Sequence, residues 1–249
     1  MIELKSPRDI EKMRVAGKIV ARTLKLIKEE AKPGVSTLKL DKLAEEFIRS
    51  QGAVPAFLNY NGYPATLCIS IDDEVVHGIP TAKRVLKEGQ LVSVDVGAQK
   101  DGFFGDAART LFMGQPDEQT ARLLKVTREA LDRGVAQALD GNFLGDISFA
   151  IQTCAEENGF SVVRDLVGHG IGRMLHEEPQ VPNYGSPRSG VQLKENMTLA
   201  IEPMINIGTW MVKIMDDNWT VKTTDGSLSA HFENTIVITK KGPEILTQA

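Results

Sequence analysis

"LVSVDVGAQKDGFFGDAARTLF", residues 91–112, poses the question that decides the fold. Val92, Val94 and Val96 alternate with Ser93 and Asp95, which is the period of a strand. Residues 99–102 are turn chemistry, and "FFGDAARTLF" reads as the returning strand. With the turn at Lys100-Asp101, Asp95 falls directly opposite Asp106. Opposite residues of an antiparallel pair share a face, with Cβ atoms about 4.5–5.5 Å apart. Two carboxylates so placed repel each other and raise at least one pKa. On an exposed strand water would screen them. Here the neighbours of Asp95 are apolar on both sides, which marks a buried strand, and a buried Asp needs a partner or a metal.

The same anomaly recurs. Glu202 interrupts the apolar run "MTLAIEPMINI" (197–207), and Glu233 opens the β-branched run of "HFENTIVIT" (231–239). Two of the four histidines, His169 and His176, lie in "GHGIGRMLHEEPQVPNYG" (168–185), which reads as a glycine-rich turn. Asp95, Asp106, Glu202 and Glu233 together bring four negative charges, and two divalent ions would balance them. His169 would be neutral and offer a ring nitrogen. The set is rich in oxygen and has no thiolate, which suits Mn, Fe, Co or Zn. Two ions about 3.5–4 Å apart can share a carboxylate and a water, and that water becomes hydroxide near neutral pH, a nucleophile for hydrolysis.

The rest of the sequence frames this cluster. The 249 residues are 42% hydrophobic and 25% charged, ordinary for a globular chain, with a net charge of −4 that offers no basic excess for nucleic acid. Cys68 and Cys154 read as reduced, buried thiols. No apolar run is long enough to span a bilayer, and the charged start lacks a signal-peptide core, so the expected compartment is the cytoplasm. Ser6, Pro7 and Asp9 predict a capped helix whose apolar positions run from Ile10 to Ile27, broken at "KPGVST" (32–37). Further helices are expected after Thr37, across 120–138 and across 145–159, with Gly159 as a stop. On the second, Leu38, Leu40, Leu43, Phe47 and Ile48 are the apolar positions. Strands are expected at 66–71 and 90–98 and through the last third. Helices, hairpin, helices, then hairpins give an α+β chain with antiparallel sheet, read as one domain over 1–249 with a faint suggestion of duplication.

Asp95, Asp106, His169, Glu202 and Glu233, with the words around them, resemble the type I methionine aminopeptidases. The matching stretches are "NYNGYP" (59–64), "VVHGIP" (75–80), "SVDVGAQKDGFFGDAART" (93–110), "GHGIGRMLHEEPQVPNYG", "LAIEPM" (199–204) and "SLSAHFENTIVIT" (227–239). The resemblance implies the pita-bread fold, two related halves with a dimetal site between them. It implies that the five residues are the metal ligands, with Asp106 and Glu233 bridging two ions. It makes His77 and His176 the histidines that address the scissile amide. It builds the methionine pocket from Phe57, Tyr60, Tyr63, Cys68, Leu175 and Trp219, where Leu175 replaces a commoner Phe. It places a monovalent cation, Na or K, on backbone near Asp72, Glu74 and Ser229.

The implied activity is removal of the N-terminal methionine from nascent chains whose second residue is small, by a monomer with transient ribosome association. No long insertion separates Glu202 from Glu233 and no zinc-finger extension precedes the domain, which favours the type I form. A Xaa-Pro aminopeptidase or prolidase shares the five-ligand pattern and stays open as an alternative, as does a non-enzymatic module on the same fold. His231 reads as a hydrogen-bonded core residue. "GHGIG" lacks the strand-to-helix context of a nucleotide loop.

Overall fold

The computed structural model describes residues 2–248. Helix α1, Pro7–Glu30, begins with the expected capping box: the Ser6 hydroxyl takes the Asp9 N–H, and the Asp9 carboxylate takes the Ser6 N–H at 3.1 Å. Helices α2 (Thr37–Ser50), α3 (Glu118–Ala136) and α4 (Leu144–Glu157) follow. Gly159 sits at φ +77° just past the end of α4, as a helix stop requires. On α2 the buried face is Thr37, Leu40, Asp41, Ala44 and Ile48, whereas Leu38, Leu43 and Phe47 are only half-buried.

Every strand pairing among the described residues is antiparallel. One sheet contains Leu67–Ile71, Leu91–Lys100 and Phe103–Phe112, and α1 and α2 cover it through Val20, Leu24, Ile27, Leu40 and Ile48 against Val92, Val94 and Val96. A second runs Gly242–Ile245, Asn234–Thr239, Thr198–Ile201, Val167–Gly170, Glu177–Pro182. Its core, with Leu199, Ile201, Ile236 and Ile238, packs against Leu123 of α3 and Ile147 and Ile151 of α4. Burying one such side chain contributes about 1.5–3 kcal/mol. Two helix pairs, each on its own sheet, are the α+β layering expected.

Three local readings need correction. The hairpin turns on Asp101-Gly102, at φ +50° and +80°, the positive pair that a type I′ turn takes and that Asp-Gly favours. The register is therefore Gly97 with Asp106 and Asp95 with Ala108, two residues from the expected one. An even shift keeps faces unchanged, so the two aspartates still share a face, diagonally rather than opposite.

"GHGIG" is not a turn. Val167–Gly170 is a strand between Glu177–Pro182 and Thr198–Ile201, and a Cβ at Gly168 would strike the Ala200 carbonyl while one at Gly170 would strike that of Glu178. Its glycines allow close approach of neighbouring backbones.

"MTLAIEPMIN" is two strands. Thr198–Ile201 belongs to the second large sheet, and Met204–Asn206 pairs with Ser229–His231 in a small one. Glu202-Pro203 is the crossing, where Pro203 has no N–H to offer a ladder. Glu233 likewise stands between Ser229–His231 and Asn234–Thr239.

Side chains stitch the sheets together beside these acids. The Asp106 N–H donates to Thr235 Oγ1 at 2.9 Å, and the Thr235 hydroxyl donates to the Asp106 carbonyl at 2.8 Å. Glu233 N–H donates to the Ala108 carbonyl at 3.0 Å. The Arg109 guanidinium donates to the Glu233 carbonyl and to Asn234 Oδ1. Thr235 is fully buried, so Thr235→Val keeps its shape and leaves an N–H and a carbonyl unpaired. It should cost about 1–3 kcal/mol, read as a lower urea midpoint with an unchanged slope.

Candidate active site

The Leu91–Lys100 and Phe103–Phe112 strands deliver Asp95 and Asp106, Val167–Gly170 delivers His169, and the two crossings deliver Glu202 and Glu233. All five line one cavity of about 370 Å³. Asp106, His169 and Glu233 offer ligand atoms that all lie within 4.8 Å of one another. Glu202 joins them through an Oε1 3.6 Å from His169 Nε2. The other His169 nitrogen, Nδ1, lies 2.8 Å from the Gly170 carbonyl. A carbonyl only accepts, so Nδ1 carries the proton and Nε2 turns a lone pair toward the acids.

Electrostatics set the demand of this cluster. Burial pushes the Asp95 carboxyl up to about 7, with Glu202 adding repulsion, and burial pushes Glu202 up to about 8. Asp106 and Glu233 are raised too, first by burial and then by their neighbours' charge. Asp95 Oδ1, Asp106 Oδ1 and Glu233 Oε1 are buried and meet no hydrogen-bond donor. Among the described residues no lysine or arginine lines the cavity. Buried, unpartnered carboxylate oxygens facing one imidazole lone pair fit a hard or borderline divalent cation, and nothing else among the lining residues would satisfy them.

The imidazoles are held neutral. His169 falls to about 3 through burial and its proximity to His176, and His77 to about 4 through burial and the nearness of His231 and His176. Burial lowers His176 as well. His77 follows the strand Glu74–Val76 at φ +60°, a conformation uncommon outside glycine that places its ring on the cavity wall. His176 stands edge-on to His169 with 4.2 Å between ring centroids, and its Nδ1 lies 2.7 Å from the Tyr60 hydroxyl.

The remaining wall is apolar. Phe57, Tyr60, Tyr63, Cys68, Leu175 and Trp219 all line the cavity, with Tyr63 edge-on to Trp219 at 5.0 Å. The Tyr63 hydroxyl points away, toward the Leu67 and Gly78 carbonyls. Cys68 sits directly across from Asp95, and burial with that nearby charge keeps its thiol protonated. Both cysteines are free and buried. Away from the cavity, the Ser229 N–H donates to the Asp72 carbonyl at 3.0 Å, and Ser229 Oγ is buried without a partner. The Glu74 carboxylate takes the Ile71 N–H and pairs with Arg84, and its backbone lies in register with Lys222 of the neighbouring strand.

His231 is a correction. Its buried Nε2 has no hydrogen-bond partner and lies 3.5 Å from Glu202 Oε2. It faces the acid cluster instead of closing a core hydrogen bond. Its place two residues before Glu233 was the available signal, but the chain switches sheets between them and breaks the alternation. Asp165, Leu166 and Val167 also line the cavity and carried no sequence signal, whereas Asn61 and Met204 line it from within the stretches "NYNGYP" and "LAIEPM" without having been given a role.

Residues 11–240 match metallopeptidase family M24. The chain is 54% identical over 247 residues to a methionine aminopeptidase of Clostridium acetobutylicum, covering 99% of each chain. The crystal structure of methionine aminopeptidase from Thermotoga maritima superposes with a TM-score of 0.99 at 48% identity, covering 100% of both chains. A Xaa-Pro dipeptidase from Bacillus anthracis shares the fold, with a TM-score of 0.79 at 23% identity over 99% of this chain and 62% of that one. The pita-bread fold expected from the sequence is the fold observed.

The raised carboxyls make a signed prediction for metal-free protein. Asp95 and Glu202 hold protons at about 7 and 8 when folded, against about 3.9 and 4.3 unfolded. Between those limits the folded state binds more protons at these carboxyls. His169 and His77, lowered to about 3 and 4, bind fewer than unfolded imidazoles below about 6.5. Above that the carboxyls act alone, so stability falls as pH rises from about 6.5 through 8. In chelator the melting temperature should decline from about pH 6.5 to 8. A saturating divalent ion should remove the decline. A flat or rising profile in chelator would contradict the burial argument.

Proposed function

The chain belongs to metallopeptidase family M24, and from that premise we propose that it removes the N-terminal methionine of nascent proteins and peptides whose second residue is small. The observation that carries this reading is the convergence of four carboxylates and one imidazole, three of the carboxylates with oxygens that lack partners, at the floor of an apolar cavity. We assign Asp95, Asp106, His169, Glu202 and Glu233 to two divalent ions, Mn, Fe, Co or Zn. Bound there, the ions supply Lewis acidity and lower the pKa of water.

The chain's own groups do the rest. For His176 to donate from Nε2 to a substrate carbonyl, its Nδ1 must accept, so the Tyr60 hydroxyl donates to it and fixes the tautomer. The imidazole then offers a neutral N–H to an oxygen gaining negative charge. His77, neutral as well and on the lining of the same cavity, addresses the amide beside it. Tyr63, Trp219, Phe57 and Leu175 exclude water and favour an unbranched thioether through packing and sulfur–aromatic contact. We further read 1–249 as one catalytic domain, a cytoplasmic monomer that meets nascent chains at the ribosome, with a monovalent cation near Asp72, Glu74 and Ser229. No helix among the described residues is long and apolar enough to cross a membrane.

Methionine release from Met-Ala-Ser should vanish in chelator and return with Mn, Fe or Co. Full activity in stripped protein, or faster cleavage of a Xaa-Pro peptide, would refute the reading. Glu233→Ala should lose metal as well as rate. His176→Ala should keep metal and lose roughly 10²–10³-fold in kcat, as removal of an oxyanion donor does; the reverse pattern would exchange the two roles.

Leu175 gives a separate test. Small apolar differences discriminate by only about 1–3 kcal/mol, so norleucine or leucine at the first position should be cleaved measurably. Leu175→Phe should suppress leucine relative to methionine; an unchanged ratio would show that Leu175 does not set stringency.

A further inference from the structure

Lys5 has a side chain only 1% exposed, rare for a lysine, and the carboxylate it pairs with lies 172 positions away. Its Nζ donates to Glu177 Oε2 at 2.7 Å and to the Glu3 carbonyl at 3.1 Å. Its backbone N–H is anchored on the Asn196 carbonyl at 2.9 Å. The other oxygen of the same carboxylate, Glu177 Oε1, takes the N–H groups of Arg173 and Met174 at 2.7 and 3.0 Å. Glu177 thus closes the 172–177 loop on itself, and Lys5 holds the closing carboxylate. Gly172 gives way to the lysine stem, since a Cβ there would strike Lys5 Cε. Two further contacts run from the same segment: Arg173 reaches Glu3 at 3.3 Å and Asp9 at 3.2 Å.

That loop carries Leu175 and His176, two substrate-facing side chains that lie outside any helix or strand. Its glycine and short length give it no rigidity of its own. A buried ion pair is weak evidence of stabilisation, because apolar residues of similar volume would serve stability as well. What the pair adds is direction: a charge-assisted hydrogen bond fixes where the carboxylate, and with it the loop, must lie.

We propose that Lys5 is a positioning residue for the reaction, acting through Glu177 to fix the 172–177 loop so that Leu175 closes the methionine cavity and His176 faces the scissile bond. The proposal rests on the activity assigned above. Displacement of His176 by even about 1 Å would cost rate out of proportion to any change in stability.

The test uses Lys5→Met, which keeps the stem and removes the ammonium, and Glu177→Gln, which keeps an acceptor for both backbone N–H groups and removes the charge. Assays run well below the melting temperature, on protein loaded with Mn. Each variant should bind as much metal as wild type. Each should lose roughly 10-fold or more in kcat on Met-Ala-Ser, with a relaxed methionine-to-leucine ratio. In a His176→Ala background Lys5→Met should cause little further loss of kcat, because both changes remove the same contribution.

A second readout needs no turnover. Amide exchange at Arg173 and Met174 should accelerate in Lys5→Met while exchange within α3 stays unchanged. Wild-type kcat and selectivity in both variants, a full additive loss on His176→Ala, or unchanged exchange at 173 and 174 would overturn the proposal. If Lys5→Met fails to fold, Glu177→Gln carries the same comparisons. Should wild type release no methionine at all, the assigned activity falls and the exchange experiment alone decides the role of Lys5.

Discussion

Like charge forced together is the constraint on which this structure turns. Four carboxylates converge in one cavity, with Asp165 a fifth on its lining and no lysine or arginine among the described lining residues. Two unit charges 4 Å apart repel by about 4 kcal/mol at an effective dielectric of 20, and a whole domain is stable by only about 5–15 kcal/mol. Repulsion on that scale persists only where the surrounding fold overrides it. The override is visible in the stitches between sheets: Thr235 on both sides of the Asp106 peptide, Arg109 on the Glu233 carbonyl, Glu233 N–H on Ala108. Each grips backbone and leaves the carboxylate pointing inward. The fold thus holds the acids in place while leaving their charge for a cation.

Two of the four acids sit where topology is irregular, whereas Asp95 and Asp106 lie in the regular hairpin. Glu202 and Glu233 occupy the points at which the chain leaves one sheet for another, so neither belongs fully to a ladder. Their backbones are tied locally and their side chains converge from different sheets. The histidines follow a related logic. His77 sits at positive φ just beyond a strand end, and His169 lies in a strand whose flanking glycines admit close neighbours. A regular strand alternates its side chains and would bring few of these groups to one point; crossings, a strained residue and a glycine-lined strand bring the others.

Local chemistry was readable in advance and non-local chemistry only partly so. The Ser6–Asp9 capping box and the Gly159 stop depend on residues within a turn of one another, and both appear as expected. The Asp95–Asp106 hairpin was recognisable, but its register was not. Lys100-Asp101 and Asp101-Gly102 are both plausible turn pairs, and only the second places both central residues at positive φ. Because the resulting shift is even, the carboxylates keep a common face. His231 was misread because the break between Ser229–His231 and Asn234–Thr239 leaves no mark in an apolar run. Asp165 and Leu166 reach the cavity through tertiary packing alone, which no short-range pattern encodes. The tie from Lys5 to Glu177 spans 172 positions and is equally invisible in one sequence.

The central claim, that Asp95, Asp106, His169, Glu202 and Glu233 form a binuclear divalent-metal site, is tested most directly by anomalous diffraction from crystals grown with Mn at neutral pH. Two anomalous peaks per chain, about 3.5–4 Å apart, enclosed by these five side chains with Asp106 and Glu233 touching both, is the expected result. A single peak, a peak liganded elsewhere, or carboxylates paired to one another through a shared proton with no metal between them would contradict it.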